Sequence, residues 1–122
     1  AIHFFGDNNR VLDEIDALNK NDIEKFLNLI KESGNSSYKY LQNVFASSDP
    51  HNQAVSIALS ISEKALGNNG VCRVHGGGFA GTIQAFVKED FVAEYAKTMQ
   101  DIFGDDSVYI LDIRSCGGIK IC

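Results

Sequence analysis

The chain has 122 residues, of which 44% are hydrophobic, and its 11 lysines and arginines stand against 16 aspartates and glutamates, a net charge of −5. This length and apolar content predict a single folded domain over residues 1–122 and exclude intrinsic disorder. The acidic balance argues against nucleic acid or an anionic membrane surface as a partner. No apolar run approaches the ~20 residues that a membrane span needs, and no secretory leader is visible. We therefore expect a cytoplasmic protein.

The three cysteines are Cys72, Cys116 and Cys122, an odd number that favours free thiols in a reducing compartment. Together with His75 they could form a Cys₃His zinc site, but on a strand Cys72 and His75 would point to opposite faces. We therefore expect incidental thiols and no metal. The chain opens at Ala1 without a methionine, so we expect a part of a longer protein.

The first two thirds of the chain carry apolar residues at the spacing typical of helices. Those from Val11 to Leu18 fall on one face, and the acidic residues between them are expected to face water. Asn21 and Glu24 form the pattern that opens a second helix, which Gly34 is expected to end.

A third helix is predicted to begin at Asp49-Pro50. Its packing face is expected to consist of Ala54, Ile57, Ala58, Ile61 and Ala65. Short strands are then predicted at residues 71–74, 82–87 and 108–113, with a helix at 89–103 before the last of them. The final strand is nearly apolar and is therefore expected to be central in its sheet.

This order of elements indicates the fold class. Helices followed by a strand–turn–strand–helix–strand unit predict an α+β two-layer sandwich, with one helical layer on a mainly antiparallel sheet.

One segment, residues 72–84, stands apart because four of the chain's 11 glycines fall within six positions. Glycine clusters serve where the backbone needs a positive φ or must approach a ligand closely. The peptide N–H groups of such a loop can form a concave cradle for an anion such as phosphate. The simpler alternative is that these glycines only make a tight hairpin turn.

Known phosphate-binding motifs do not fit this segment. Gly76, Gly78 and Gly81 satisfy G-x-G-x-x-G, but the dinucleotide fingerprint requires a helix directly afterwards, and residues 82–87 alternate with a period of two. The Walker loop is excluded because no Gly-Lys-Ser/Thr follows. A protein-kinase glycine loop is a hairpin, but the companion motifs of that family are missing.

The longer string resembles the third conserved motif of the GHMP small-molecule kinases, in the form typical of galactokinases. It reads Arg73-Val74-His75-Gly76-Gly77-Gly78-Phe79-Ala80-Gly81. Further strings are similar to the opening, middle and closing strand of the galactokinase C-terminal domain: residues 3–5 and 9–12, residues 32–37 and 41–44, and residues 108–114. The resemblance therefore covers nearly the whole chain, in order.

The resemblance implies a ferredoxin-like GHMP kinase C-terminal domain in an enzyme that transfers a phosphoryl group from ATP to the anomeric hydroxyl of galactose. It also implies that the ATP-binding loop, the catalytic aspartate and most of the sugar pocket lie in a separate N-terminal domain, which is absent from this chain. ATP and Mg²⁺ would then be cofactors of the full-length enzyme, with none bound tightly here. No catalytic residue is expected in this chain, which alone should be inactive.

The resemblance assigns the candidate site to the loop that lines the phosphate cleft: Gly76, Gly77, Gly78, Phe79, Ala80 and Gly81. The amides of Gly77, Gly78 and Phe79 would face developing negative charge, while the Phe79 ring is expected to anchor the loop in the core. Arg73 and His75 are expected to support the loop rather than to bind phosphate or transfer protons.

Two other interpretations stay open. The chain could be a freestanding α+β module that binds a small ligand or dimerises, or a GHMP kinase acting on another sugar or a mevalonate-type substrate. The expected partners are galactose, ATP and the protein's own N-terminal kinase domain. A homodimer through the face left uncovered by that domain is also expected.

Overall fold

A computed structural model describes residues 1–79 and 81–113. The elements in chain order are α1 (Ile2–Asn19), α2 (Ile23–Leu41), α3 (Ala54–Leu66), β1 (Gly70–Val74), β2 (Ile83–Val87) and α4 (Val92–Phe103), with single 3₁₀ turns at Glu89–Phe91 and Asp105–Ser107. None of the helices among these residues is both long and apolar enough to cross a membrane.

Helix α2 is longer than the sequence pattern predicts. It begins after Asp22, whose carboxylate accepts a hydrogen bond of 3.0 Å from the Lys25 amide, so Asp22 rather than Asn21 caps the helix. The helix runs through Gly34, which was expected to end it, and stops at Leu41. Gln42 then turns the chain with a left-handed conformation, φ 49° and ψ 40°.

Helix α3 begins later than predicted, and its predicted packing face is confirmed only in part: Ile61 and Ala65 pack against the core. It starts at Ala54, with the segment around Pro50 forming turns outside the helix. The side chains buried along it are Val55, Ser62 and Leu66, and Leu59 packs beside them. Ile57, expected on the packing face, is 53% exposed. The helix stops at Leu66, and Gly67 follows with a positive φ.

Strands β1 and β2 form an antiparallel hairpin, as predicted, with Cys72 opposite Ala85 and Arg73 opposite Gln84. Within the described residues this two-stranded sheet is the only one. The predicted central strand at 108–113 is wrong: the segment is in no strand. Val108 packs against the core, but the side chains that follow it are exposed, Leu111 to 86%. A strand needs a partner for its backbone groups, and no described strand pairs with this segment.

Helices cover both faces of the hairpin. The face that carries Cys72 packs against α3 and α4, in a core cluster formed by Leu66, Cys72, Tyr95 and Met99. On the other face, Phe86 contacts Phe26 of α2 edge to face, with ring centroids 5.8 Å apart. The chain therefore belongs to the α+β class.

Helix α1 lies on α2 with its polar side inward, opposite to the predicted orientation. His3, Asp7 and Arg10 are turned toward α2, with side chains only 13%, 30% and 19% exposed. Apolar residues on the opposite side are open to solvent. They are Phe4, Val11, Leu12, Ile15 and Leu18, each at least 48% exposed. We call these five residues the α1 apolar stripe.

Candidate functional site

The glycine-rich segment forms a closed turn at the tip of the hairpin. The turn begins with a backbone hydrogen bond of 3.1 Å from the His75 amide to the Thr82 carbonyl. Inside it, the Gly78 amide donates to His75 at 3.2 Å, and the Gly81 amide donates to Gly78 at 3.3 Å. Gly76, Gly78 and Gly81 have φ values of +57°, +88° and +81°, which side chains rarely tolerate. The segment is therefore a bent ribbon that needs glycine.

The amides of this turn are not equivalent. The Gly78 N–H is already used inside the turn, so it is not free to meet an anion, although the sequence interpretation gave it that role. The Gly77 and Phe79 N–H groups donate to no other described residue. Gly77 is exposed and has open space around its Cα. Of the three amides named in the sequence interpretation, those of Gly77 and Phe79 thus keep N–H groups that no described residue accepts.

Phe79 does not anchor the turn, contrary to expectation. Its side chain is 69% exposed, whereas Gly78 is buried against the chain that follows α2. Close backbone packing at Gly78 thus holds the turn where an aromatic side chain was predicted to do so. Ala80, the fifth residue of the candidate loop, lies outside the described residues.

Arg73 joins β1 to α2 at the base of the turn. Its guanidinium donates to Ser33 Oγ at 2.7 Å and to the Val74 carbonyl at 3.3 Å. Ser33 in turn donates to Asp7 Oδ1 at 2.6 Å, so the arginine reaches a carboxylate through a hydroxyl. These contacts fix the strand that leads into the turn. The side chain of His75, by contrast, is exposed.

The same network gives Asp7 a depressed pKa. Burial raises the pKa of this carboxyl, but hydrogen bonds from Ser33 and Arg10, with the nearby charges of His3 and Arg73, outweigh it and lower the pKa below its usual value. Asp7 is therefore a charged link between helices. No feature of the sequence identified this role, because the helical pattern assigned the acidic residues of α1 to the solvent side.

His3, Asp7 and Ser36 also lie near one another, a combination found in hydrolases. The His3 Nδ1 atom is 3.0 Å from Ser36 Oγ, while His3 Nε2 is 3.8 Å from Asp7 Oδ2. Ser36 is 7% exposed and faces α1 from within α2. A nucleophile must reach its substrate, so this group links two helices and is not a catalytic triad.

The described residues offer no metal site, since no group of three His, Cys, Asp or Glu side chains converges among them. Cys72 is buried in the core, and this burial raises the pKa of its thiol, which makes it a poor metal ligand. Cys116 and Cys122, the other members of the rejected zinc hypothesis, lie outside the described residues.

Asn43 and Ser37 are the residues near the turn that sequence reasoning missed. Asn43 lies directly under Gly78, and Ser37 holds its side chain. Residues 41–44 contribute only to the family resemblance in the sequence. The contact between Asn43 and Gly78 joins residues that are 35 positions apart in the sequence, and only the fold brings them together.

Taken together, these residues form an α+β arrangement that presents a glycine turn at its surface. Its sequence is similar throughout to bacterial galactokinases. The chain is 32% identical to the galactokinase of Mannheimia succiniciproducens, in a match that covers 100% of this chain and 31% of that protein. The galactokinases of Glaesserella parasuis and Actinobacillus pleuropneumoniae are 31% and 30% identical, with 83% of this chain matched in each case.

These matches confirm the resemblance read from the glycine motif: the chain is a homologue of galactokinases, a class of kinases. It spans 31% of the length of the first of these curated relatives and 24% of the length of the second and third. This coverage is consistent with a galactokinase C-terminal fragment. No family model matches the chain, and no solved structure matches it.

Proposed function

We propose that residues 1–122 form the C-terminal domain of a galactokinase, which transfers a phosphoryl group from ATP to the anomeric hydroxyl of galactose and releases galactose 1-phosphate and ADP. The observation that carries this proposal is a match along the whole chain to a galactokinase about three times its length. The glycine string that first indicated the family forms a turn in which the Gly77 and Phe79 N–H groups donate to no described residue, and this supports a loop that faces phosphate.

In this proposal the turn contributes electrostatics. Phosphoryl transfer depends on positioning and on stabilising negative charge that is spread over the phosphate oxygens. The Gly77 and Phe79 N–H groups supply fixed dipoles for that charge, and fixed donors need no reorganisation during the reaction. Arg73 holds β1 on α2 below the turn, and the His75 backbone closes the turn.

The remaining parts of the reaction are assigned to an N-terminal domain. ATP and Mg²⁺ would be held there, with the catalytic aspartate and most of the galactose pocket, and the 122-residue chain would be inactive alone. We place such an enzyme in the cytoplasm, with no nucleic acid or membrane as partner.

The exposed apolar surfaces support a larger assembly. The α1 apolar stripe and residues 109–113 leave large hydrophobic side chains in solvent, an arrangement typical of surfaces that another part of a protein covers. We propose that the N-terminal kinase domain covers part of these exposed surfaces, and that the domain is ferredoxin-like in the intact enzyme. Without the N-terminal domain, the chain would form homodimers through the surface that is left uncovered.

The test compares two purified proteins: the full-length gene product that contains this chain, and the 122 residues alone. ADP release is measured with ATP, Mg²⁺ and galactose, and a panel of other sugars and mevalonate is run alongside. The proposal predicts galactose phosphorylation by the full-length protein only. Preference for another panel substrate would make it a different GHMP kinase, and ADP release by the 122 residues alone would contradict the assignment of catalysis to the N-terminal domain.

The exposed α1 apolar stripe favours a second candidate, a freestanding module that dimerises. The open reading frame upstream of Ala1 separates the two candidates. An upstream nucleotide loop and aspartate support the kinase, while a start codon directly before Ala1 supports the module.

A further inference from the structure

The buried middle of the glycine turn rests on the backbone of Asn43. A Cβ built on Gly78 would overlap the Asn43 carbonyl oxygen and would lie 3.0 Å from both the carbonyl carbon and Cγ of Asn43. At Gly76, Gly77 and Gly81, in contrast, no other atom lies within 4 Å of such a Cβ. Among the glycines of the turn, Gly78 is therefore the one that packs closely against the rest of the fold.

Asn43 is itself fixed from below. Its Nδ2 donates to Ser37 Oγ at 2.9 Å, and the Ser37 hydroxyl lies within donating distance of Asn43 Oδ1, at 3.2 Å. Both side chains are buried, with 3% and 2% of their surface exposed. The next residue, Val44, is 2% exposed and packs with Val74 at the end of β1. The chain that leaves α2 is thus tied to the helix and to the strand below the turn.

These contacts indicate that the Ser37–Asn43 pair determines the path of the backbone as well as filling the core. The pair sets the direction in which the chain leaves the left-handed Gln42, and with it the position of the Asn43 carbonyl against Gly78. Gly77 and Phe79, whose N–H groups donate to no described residue, are the two neighbours of Gly78. A shift at Gly78 would therefore move both donors together.

We propose that Ser37 and Asn43 are positioning residues for the glycine turn, and that they hold the Gly77 and Phe79 amides where these can donate hydrogen bonds to a nucleotide phosphate. The catalytic part of this statement rests on the proposed galactokinase function. The structural part, that the pair holds the turn, stands on the contacts alone.

The structural part is tested on the 122-residue chain by NMR relaxation. The order parameters of the Gly77 and Phe79 N–H vectors are compared in the wild type and in Asn43→Ala. In the wild type we expect order parameters of about 0.85, typical of rigid backbone. In the variant we expect them to fall below about 0.6. Order parameters report motion on the picosecond to nanosecond timescale, so a general loss of stability that leaves the chain folded would not lower them at two chosen residues.

A double variant separates positioning from stability. Ser37→Ala or Asn43→Ala alone leaves a buried polar partner unsatisfied, whereas Ser37→Ala with Asn43→Ala removes both partners and restores much of the stability. The double variant is also the one to use if a single variant does not fold. If the pair positions the turn, the two order parameters stay low in the double variant. The matched control is Ser60→Ala on the exposed side of α3, with wild-type values expected.

The catalytic part is tested in the full-length protein by steady-state kinetics. We expect the double variant to lower kcat about tenfold or more, since misplaced donors stabilise the transition state poorly, with the KM for galactose unchanged. Ser60→Ala should leave kcat unchanged. Wild-type order parameters in Asn43→Ala and in the double variant would overturn the proposal. An unchanged kcat would overturn its catalytic part. A wild-type protein that does not phosphorylate galactose would contradict the proposed function but leave the NMR result valid.

Discussion

Gly34 in the middle of α2 packs directly against Arg73 of β1. A Cβ built on Gly34 would lie 2.8 Å from the Arg73 Cβ, a distance that real Cβ atoms do not show. Gly34 is buried, and the neighbouring Ser33 hydroxyl accepts the arginine's hydrogen bond. The glycine is thus where α2 approaches the strand that leads into the glycine turn.

Replacing Gly34 by alanine is expected to destabilise the protein, although alanine favours helix by about 1 kcal/mol. Overpacking against Arg73 should cost about 1–3 kcal/mol and so outweigh this gain. The matched control is Gly6→Ala in α1, where the nearest atom to the added Cβ is the flexible Arg10 guanidinium at 3.5 Å. There the helix gain of about 0.5–1 kcal/mol should appear. Urea unfolding measures both, and a stabilised Gly34→Ala would contradict the close packing.

The length of α2 shows what the sequence could and could not predict. The hydrophobic pattern located each helix and both strands of the hairpin, because these are set by local spacing. Gly34 was interpreted as a helix stop, since glycine commonly ends helices. Only the three-dimensional contact with Arg73 shows that this glycine is needed for packing instead.

The prediction of which face of α1 is buried was wrong for a similar reason. Its apolar residues share one face, and a surface helix normally buries such a face. In the structure the polar face packs on α2, because Ser33 and Ser36 present hydrogen-bonding partners to Asp7 and His3. The turn itself was predicted better: the glycine string located it, while the contacts of Gly78 and the exposure of Phe79 depend on the fold.

The stability of the protein is expected to depend on Asp7 at acidic pH. Its folded-state pKa is lowered, so its contribution is present above the unfolded pKa of about 3.9 and is lost as the pH falls through the folded value. Asp7→Asn should reduce the free energy of unfolding at pH 7 by about 1–2 kcal/mol, because hydrogen bonds to a charged group are replaced by neutral ones. It should also flatten the decline of stability below about pH 4. Urea unfolding at several pH values measures this.

Glu14 on the same helix provides a control, because its pKa is shifted in the opposite direction from that of Asp7. Burial, together with the charge of Asp7, raises the pKa of this carboxyl. A raised pKa in the folded state means that stability is lost as the pH rises through the unfolded pKa toward the folded one. Glu14→Gln should therefore be at least as stable as the wild type at pH 7. Equal losses in Asp7→Asn and Glu14→Gln would contradict the assigned network.

The buried pair Ser62 and Tyr95 should behave as one unit in the core below the hairpin. Their hydroxyl oxygens are 2.7 Å apart, and the residues are 0% and 7% exposed. Ser62→Ala leaves the tyrosine hydroxyl without this partner and should cost about 1–3 kcal/mol. The double variant Ser62→Ala with Tyr95→Phe should cost less than the sum of the two single changes. Thermal unfolding of all four proteins measures the coupling, and strict additivity would show that the hydroxyls do not depend on each other.

The glycines of the turn should differ sharply in what they tolerate. Gly78→Ala places a methyl group against the Asn43 carbonyl and forces a side chain into a φ of +88°, so we expect a loss of about 3 kcal/mol or more. Gly77 has open space around it and is not in the left-handed region. Gly77→Ala should therefore be neutral or gain up to about 1 kcal/mol by restricting the unfolded chain. The free energies of unfolding of the two variants measure the difference. Equal effects would mean that Gly78 is not the residue that holds the turn, because only its packing on Asn43 and its conformation distinguish it from its neighbour.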